Sequence, residues 1–183
     1  MKLMLSVLVF AATGSGQLQY TKSGEFVFPK DYRSWPFLSS GIGMTYSNNA
    51  VSNPRFSNVC VNTKALQVFL RKGEWPDKTV LITEDRASSS HASNRDGRFQ
   101  TDVAFWEAHV KDSRRGGWSY YIILKTAVSA KPQPESAGCL ACHAKNAATD
   151  TTFVQFYPTL IEAAKRAGNY RDPGDVIMEQ PSK

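Results

Sequence analysis

The chain has 183 residues, of which 42% are hydrophobic, and it carries a formal net charge of +6 at pH 7. Its lysines and arginines are scattered among acidic residues, which is typical of a solvated surface and excludes a nucleic-acid-binding stripe. This length and apolar content predict one domain with a single hydrophobic core.

The first 17 residues have the layout of a secretory signal peptide. Lys2 precedes an apolar run over residues 3–12, and small residues follow at positions 14–16. The apolar run is too short to cross a membrane as a helix. We therefore expect a signal peptide at residues 1–17, a periplasmic mature protein without a membrane span, and a folded domain over residues 18–168.

The segment from residue 56 to residue 126 is predicted to be rich in β-strands. The sequence FSNVCVN predicts a strand with Cys60 as a buried small residue, and a dimer disulfide through Cys60 is the alternative. A helix capped by Asn62 follows, and WPDKTVLIT then predicts a turn and a second strand. Residues 84–97 are polar and predict a loop. Two further strands are expected over residues 98–113 and 117–126.

The C-terminal part of the chain is predicted to be helical. CLACHAKNAATD predicts one helix, and an apolar second helix follows in which Pro158 should cause a kink or a restart. One face of this second helix is predicted to belong to the core: Phe153, Phe156, Tyr157, Leu160, Ile161 and Ala164. Residues 169–183 are predicted to form a loosely ordered tail.

The segment CLACH carries the strongest chemical signal. Two thiols three positions apart, Cys139 and Cys142, can add to the two vinyl groups of a haem, and the next residue, His143, can then ligate the iron. A disulfide, a redox dithiol or half of a zinc site could use the same thiols, but the chain has no second cysteine pair to complete a zinc shell. The spacing therefore predicts one covalently attached haem c, against which the apolar face of the second helix could pack. Export agrees with this, because haem c is attached outside the bacterial inner membrane.

Several longer segments resemble the cytochrome P-460 family, which includes the proteins called cytochrome c′-beta. The resemblance covers about residues 24–168 and is carried by FPKDYRSW, RKGEWPDKTVLIT, FWEAHVKDS, GGWSYY and CLACHAKNAATDTTFVQFYPTL. It implies an α+β, β-rich fold in which an antiparallel sheet with short flanking helices precedes a C-terminal helical segment that carries the haem c site. It also implies that a homodimer could form.

The resemblance also bears on the residues of the distal pocket. The family's cross-linking lysine corresponds here to Thr83, and Lys78 lies five residues earlier, on the other face of an ideal strand. The family's pocket glutamate matches Glu107, which could accept a proton from a nitrogen substrate or hold a water. The alternative for Glu107 is a surface glutamate paired with Lys111.

Two further residues are candidates for a sixth iron ligand. His109 shares a strand face with Glu107, because it stands two positions further along the strand, and Met44 offers a thioether. Both have ordinary alternatives as a hydrogen-bonded histidine and a core methionine, and His91 in the polar segment is a weaker candidate. Aromatic residues expected to line an open pocket are Phe56, Phe105 and Trp106.

These alternatives define three functions. With His143 as the single axial ligand, the protein would bind nitric oxide or a related small nitrogen species, and this is the function that we favour. With Met44 or His109 as a second ligand, it would carry electrons. With a cross-linked lysine and Glu107 as base, it would oxidise hydroxylamine and pass electrons to a cytochrome partner.

Overall fold

The computed structural model describes residues 18–45 and 52–172, and within these it has seven strands and three α-helices. The strands are β1 (Phe26–Val27), β2 (Phe37–Ile42), β3 (Phe56–Val61), β4 (Val80–His91), β5 (Asn94–Asp112), β6 (Gly117–Ile123) and β7 (Ser129–Ala130). The helices are α1 (Thr63–Lys72), α2 (Cys139–Asn146) and α3 (Pro158–Arg166).

Five strands form one antiparallel sheet in the order β2-β3-β4-β5-β6, so each strand pairs with its neighbour in sequence. The short strands β1 and β7 form a separate antiparallel pair. The predicted α+β class with an antiparallel sheet, short helices and a C-terminal helical segment is confirmed.

The predicted loop over residues 84–97 is wrong. Strand β4 continues to His91 and β5 begins at Asn94, so the segment belongs to a long hairpin whose tip is at residues 92 and 93. Its polar side chains do not prevent pairing, because the backbone supplies the ladder hydrogen bonds and both faces of this arm are accessible to solvent.

The core is divided by the sheet into two clusters, where the sequence predicted one. On one face, Leu81 packs with Phe69 of α1 and Leu160 of α3. On the other face, Val80 and Ile82 pack with residues of the N-terminal segment, which are Phe26, Tyr32 and Trp35. The division arises because successive residues of a strand point to opposite faces, and the run VLI of β4 is buried on both.

The helix boundaries agree with the sequence signals. Helix α1 begins directly after Asn62, whose side chain bonds to β4 through the Val80 N–H at 2.9 Å instead of capping the helix. It ends at Gly73 with φ of 67°, where a Cβ would collide with the Ala163 carbonyl oxygen of α3. Helix α3 starts at Pro158, which is a restart of the helix at the position where proline is tolerated.

The beginning of the predicted loose tail is held by the domain. Asn169 donates to the Glu74 carboxylate at 3.1 Å, and Tyr170 packs against the core. The Arg171 guanidinium donates to carbonyl oxygens at the end of α2, those of Ala144, Lys145 and Ala147. The predicted signal peptide at residues 1–17 and the rest of the tail, residues 173–183, lie outside the described residues.

Within residues 18–45 and 52–172, no helix is long and apolar enough to cross a membrane.

Candidate functional site

A cavity of about 580 Å³ lies between the sheet and the C-terminal helical segment. Six of the seven predicted site residues line it: Met44, Thr83, Glu107, His109, Cys142 and His143. The other lining residues are Ser39, Gly41, Gly43, Thr45, Ser57, Val59, Phe153, Phe156 and Tyr157. The seventh predicted residue, Cys139, is half-buried at the start of α2.

The strand register brings the polar side chains of the cavity together. Thr83 of β4 is paired with Glu107 of β5, and Val59 of β3 is paired with Thr83. Alternation along β5 then places Glu107, His109 and Lys111 in a line on the same face of the sheet. The sequence predicted this shared face for Glu107 and His109.

His143 is held in one orientation by a backbone hydrogen bond. Its Nδ1 lies 2.8 Å from the carbonyl oxygen of Thr151, which can only accept, so Nδ1 carries the proton. Burial lowers the pKa of His143, and the bond to Thr151 opposes that shift only in part. The imidazole is therefore neutral, and its Nε2 lone pair is available to a metal.

The two cysteines of the motif stand one helical turn apart on α2. All three cysteines of the chain are free thiols, with Cys142 exposed and Cys139 half-buried. Residues three positions apart on a helix lie on the same side, so both thiols can approach one partner. The Cys142 Sγ has the Asn146 side-chain amide at 3.5 Å.

Aromatic rings enclose the His143 imidazole. The ring centroids of His109, Tyr120 and Phe153 each lie 4.5 Å from that of His143. The His109 and Tyr120 rings also contact each other, with their centroids 4.9 Å apart. His109 meets His143 edge-on, at an interplanar angle of 82°. Burial, and secondarily the neighbouring His143, hold the pKa of His109 well below its usual range, so His109 is neutral as well.

Glu107 is the titrating group of the cavity. Burial, assisted by the charge of Asp85 and opposed by that of Arg55, raises the pKa of Glu107 to about 7. Asp85 itself accepts a hydrogen bond of 2.8 Å from the Ser57 hydroxyl. A carboxyl group with this pKa can both accept and return a proton at neutral pH.

The alternative in which Glu107 is a surface glutamate paired with Lys111 is wrong, because Glu107 is buried and Lys111 pairs with Asp150. The Lys111 ammonium donates instead to the Asp150 carboxylate at 2.6 Å and to the Trp75 carbonyl at 2.8 Å. Lys78 is also away from the cavity, because its ammonium pairs with Asp112.

The aromatic residues predicted to line the cavity are not those that do so. Phe56 precedes the lining residue Ser57, and Trp106 precedes Glu107, so strand alternation turns both to the opposite face. There the Trp106 indole N–H donates to the Tyr32 hydroxyl at 2.7 Å. Phe105 stacks with the Arg55 guanidinium, at 5.1 Å. The aromatic lining comes from the C-terminal segment: Phe153, Phe156 and Tyr157.

The two other candidate ligands differ in their surroundings. Met44 follows β2 and is 48% exposed. Its side chain lies over Gly41, and a Cβ at position 41 would collide with the Met44 Cγ. His91 is exposed at the hairpin tip and bonds to the Ser93 hydroxyl at 2.7 Å. The contact of Thr151 with His143 was not predicted from the sequence, because a backbone carbonyl acceptor has no residue-type signature.

An antiparallel sheet that faces a Cys-x-x-Cys-His helix across a cavity is the architecture of a haem-binding cytochrome. The chain belongs to the cytochrome P460 family, because the model of the family described as Cytochrome P460 matches residues 29–154, more than half of the chain. The matched range contains Thr83, Glu107 and the whole of α2, which agrees with the resemblance seen in the sequence. A comparison with curated proteins found no match.

The residues of the cavity fit the haem that this family binds. The donor set consists of a neutral imidazole with its Nε2 free and two free thiols one turn apart on the same helix. The cavity beside them is within the usual size of a cofactor site, and its C-terminal wall is aromatic.

Proposed function

We propose that this chain is a periplasmic protein with a single haem c, attached through Cys139 and Cys142 and ligated by His143. We further propose that it binds nitric oxide or a related small nitrogen species at an open axial site. The observation that carries the proposal is the Nδ1 bond of His143 to Thr151, which places the proton on Nδ1 and the lone pair on Nε2 of a residue that lines the cavity.

Each wall of the cavity has its own role. When bound, the haem would supply an iron that can bind the nitrogen species and can itself be ferrous or ferric. His143 donates the proximal nitrogen, and the rings of Phe153 and Phe156 exclude water on the C-terminal side. On the sheet side, the Thr83 hydroxyl can donate or accept a hydrogen bond, and Glu107 can hold or release a proton at its carboxylate.

The position of His109 supports an open site. If His109 and His143 were to share an iron, the metal would have to lie between their rings, with a bond of about 2.0–2.1 Å to a nitrogen of each. The rings of His109 and His143 are 4.5 Å apart and perpendicular, which suits a packing partner of the proximal histidine. The exposure of Met44 likewise supports its role as a residue of the cavity mouth.

The attachment and the ligand can be tested separately. Intact mass should show one haem on the wild-type protein and an incomplete or lost attachment in Cys139→Ser and Cys142→Ser, while Cys60→Ser keeps the haem. A nitric oxide titration of the reduced protein should then give one saturable optical change. A wild-type protein without covalent haem, or a haem protein whose spectrum ignores nitric oxide, would overturn the corresponding half of the proposal.

A second function is favoured by Glu107. A pKa of about 7 suits a base that takes protons while hydroxylamine is oxidised and a cytochrome partner accepts the electrons. Thr83 in place of the family's lysine weighs against it. Sustained hydroxylamine-dependent reduction of a cytochrome, lost in Glu107→Gln, would establish this second function, and we expect no such turnover.

Export, a cytochrome redox partner and a homodimer complete the proposal. Export is supported by haem c chemistry, and the other two by the family. Sedimentation of the purified holoprotein measures the oligomeric state, and a monomer at micromolar concentration would contradict the homodimer. A dimer that persists in Cys60→Ser would remove the disulfide alternative, which the half-buried position of Cys60 in β3 already disfavours.

A further inference from the structure

The carbonyl group that orients His143 belongs to an unusual turn. Residues Thr149 and Thr152 bond to each other through both backbone groups, at 2.7 Å and 3.3 Å, and close a tight turn around Asp150 and Thr151. Both central residues are left-handed, with φ of 45° and 57°. This pattern is that of a type I′ turn, which favours Gly, Asn and Asp, and a β-branched threonine rarely adopts it.

Side chains from other parts of the fold hold this turn in place. The Asp150 carboxylate accepts a hydrogen bond of 2.6 Å from Lys111, whose ammonium is also bonded to the Trp75 carbonyl at 2.8 Å. The Trp75 indole N–H donates to the Thr152 hydroxyl at 2.8 Å. A conformation that Thr151 does not prefer persists only where its surroundings impose it, and these bonds do so.

Lys111 therefore links the sheet to the proximal side of the site. It stands two residues after His109 on the same face of β5, and through Asp150 it reaches the turn whose carbonyl accepts the His143 Nδ1 proton. It is 27% exposed, so it can be replaced without opening the core.

We propose that Lys111 and Asp150 are positioning residues for His143, and that their ion pair keeps the Thr149–Thr152 turn in the conformation that aims the Thr151 carbonyl at Nδ1. This inference rests on the proposed function, in which His143 Nε2 ligates the haem iron. A strong bond at Nδ1 makes Nε2 a better donor, which favours ferric over ferrous iron. Loss of the ion pair should weaken that bond and raise the reduction potential.

The two partners carry opposite charges, which separates positioning from simple electrostatics. Through space, removal of the Lys111 charge favours ferric iron and removal of the Asp150 charge favours ferrous iron. Positioning predicts the same direction for both, because either change releases the turn. The test is the reduction potential and the iron–histidine stretching frequency of the holoproteins of Lys111→Gln and Asp150→Ala.

We expect both variants to have a higher potential and a lower stretching frequency than the wild type. The expected size is about a tenfold change in the ferrous-to-ferric ratio, equal to about 59 mV for one electron. Lys111→Arg should keep the wild-type values because it keeps the ion pair. Lys165→Gln, which removes the surface pair with Glu162 on α3, is the matched control and should change neither quantity.

The possible failures are distinguishable. Shifts of opposite sign, or no shift in Lys111→Gln, would overturn the positioning role, and Lys111→Gln decides the matter if Asp150→Ala does not fold. If His143→Ala keeps the wild-type ferrous spectrum, another residue ligates the iron and the proposed function itself fails. A spectrum lost in His143→Ala but unshifted potentials in Lys111→Gln would leave the proposed function standing without this inference.

Discussion

Two glutamates on adjacent strands show how differently the faces of the sheet are used. Glu84 of β4 is paired with Trp106, next to the pair formed by Thr83 and Glu107, so the two carboxylates point to opposite faces. Glu84 accepts hydrogen bonds from the side chains of four residues: Tyr32, Arg33, Arg86 and, at 3.4 Å, Trp106. Although burial acts to raise its pKa, these bonds lower the pKa of Glu84 to about 2.

Glu107 is buried too, but among the described residues no side chain donates a hydrogen bond to it as Tyr32 and the arginines do to Glu84. The main electrostatic neighbours of Glu107 are Asp85, which raises its pKa, and Arg55, which lowers it by a smaller amount. The outcome is a pKa of about 7, against about 2 for Glu84. The difference shows that burial raises the pKa of a carboxyl group only where hydrogen-bond donors and cations do not offset it. In this fold Glu107, at the cavity, is such a carboxyl group.

The largest expected effect that separates the two faces is on stability. Glu84→Gln should lower the free energy of unfolding by about 2 kcal/mol, because it removes the buried charge that accepts hydrogen bonds from Arg33 and Arg86, whose side chains are partly exposed to solvent. The matched change Glu107→Gln should instead raise the free energy of unfolding at pH 8, because it removes a desolvated charge. Urea unfolding of both holoproteins is the measurement, and equal losses would remove the distinction.

The pH dependence of stability should have opposite slopes for the two glutamates. The folded pKa of Glu84 lies below the usual value of about 4.3, so its stabilisation is present above that value and is lost as the pH falls toward about 2. The folded pKa of Glu107 lies above it, so wild-type stability relative to Glu107→Gln should decline as the pH rises from about 4.3 to about 7. Thermal unfolding of the wild type and both variants between pH 3 and pH 8, in steps of about one unit, measures these differences. A flat difference for Glu107→Gln would show that its pKa is ordinary.

A smaller effect is expected from the hydroxyl that serves Glu84. Tyr32→Phe should cost about 1 kcal/mol, because it removes a donor from the network while the ring stays packed. The reduced optical spectrum should stay that of the wild type, since Tyr32 is on the face away from the cavity. A changed spectrum in Tyr32→Phe would show that the faces are coupled.

The smallest stability effect is expected from the corresponding hydroxyl on the cavity face. Thr83→Val keeps the shape of the side chain and should change the free energy of unfolding by less than about 1 kcal/mol. The dissociation rate of nitric oxide from the reduced protein should nevertheless change, because Thr83 lines the cavity. Identical dissociation rates, measured by stopped flow, would place the bound ligand away from Thr83.

Much of the fold could be predicted from the sequence because it depends on local patterns. The strand β3, the start of α1 after Asn62 and the restart at Pro158 depend on local signals, and each was found where expected, although the Asn62 side chain bonds to β4 and does not cap the helix. The hairpin arm of β4 and β5 was missed because pairing between polar strands leaves no hydrophobic pattern to detect.

The residues of the site likewise fall into those that the sequence reveals and those that only the folded structure reveals. Cys139, Cys142 and His143 are visible as a spacing, and Glu107 through the family resemblance. The carbonyl of Thr151 and the position of Asp85 depend on a turn and on strand register, which single residues do not reveal. Which side chains face the cavity depends on register as well, since a shift of one residue turns every side chain to the other face.

The most direct test of the account is the optical spectrum of the dithionite-reduced protein, before and after addition of nitric oxide. We expect a haem c spectrum with a broad, unshifted Soret band that changes when nitric oxide is added, because an iron held by His143 alone would leave a site open to the gas. A Soret band strongly shifted to the red before any addition would reveal a cross-linked haem and contradict the account. So would a six-coordinate spectrum that does not respond to nitric oxide.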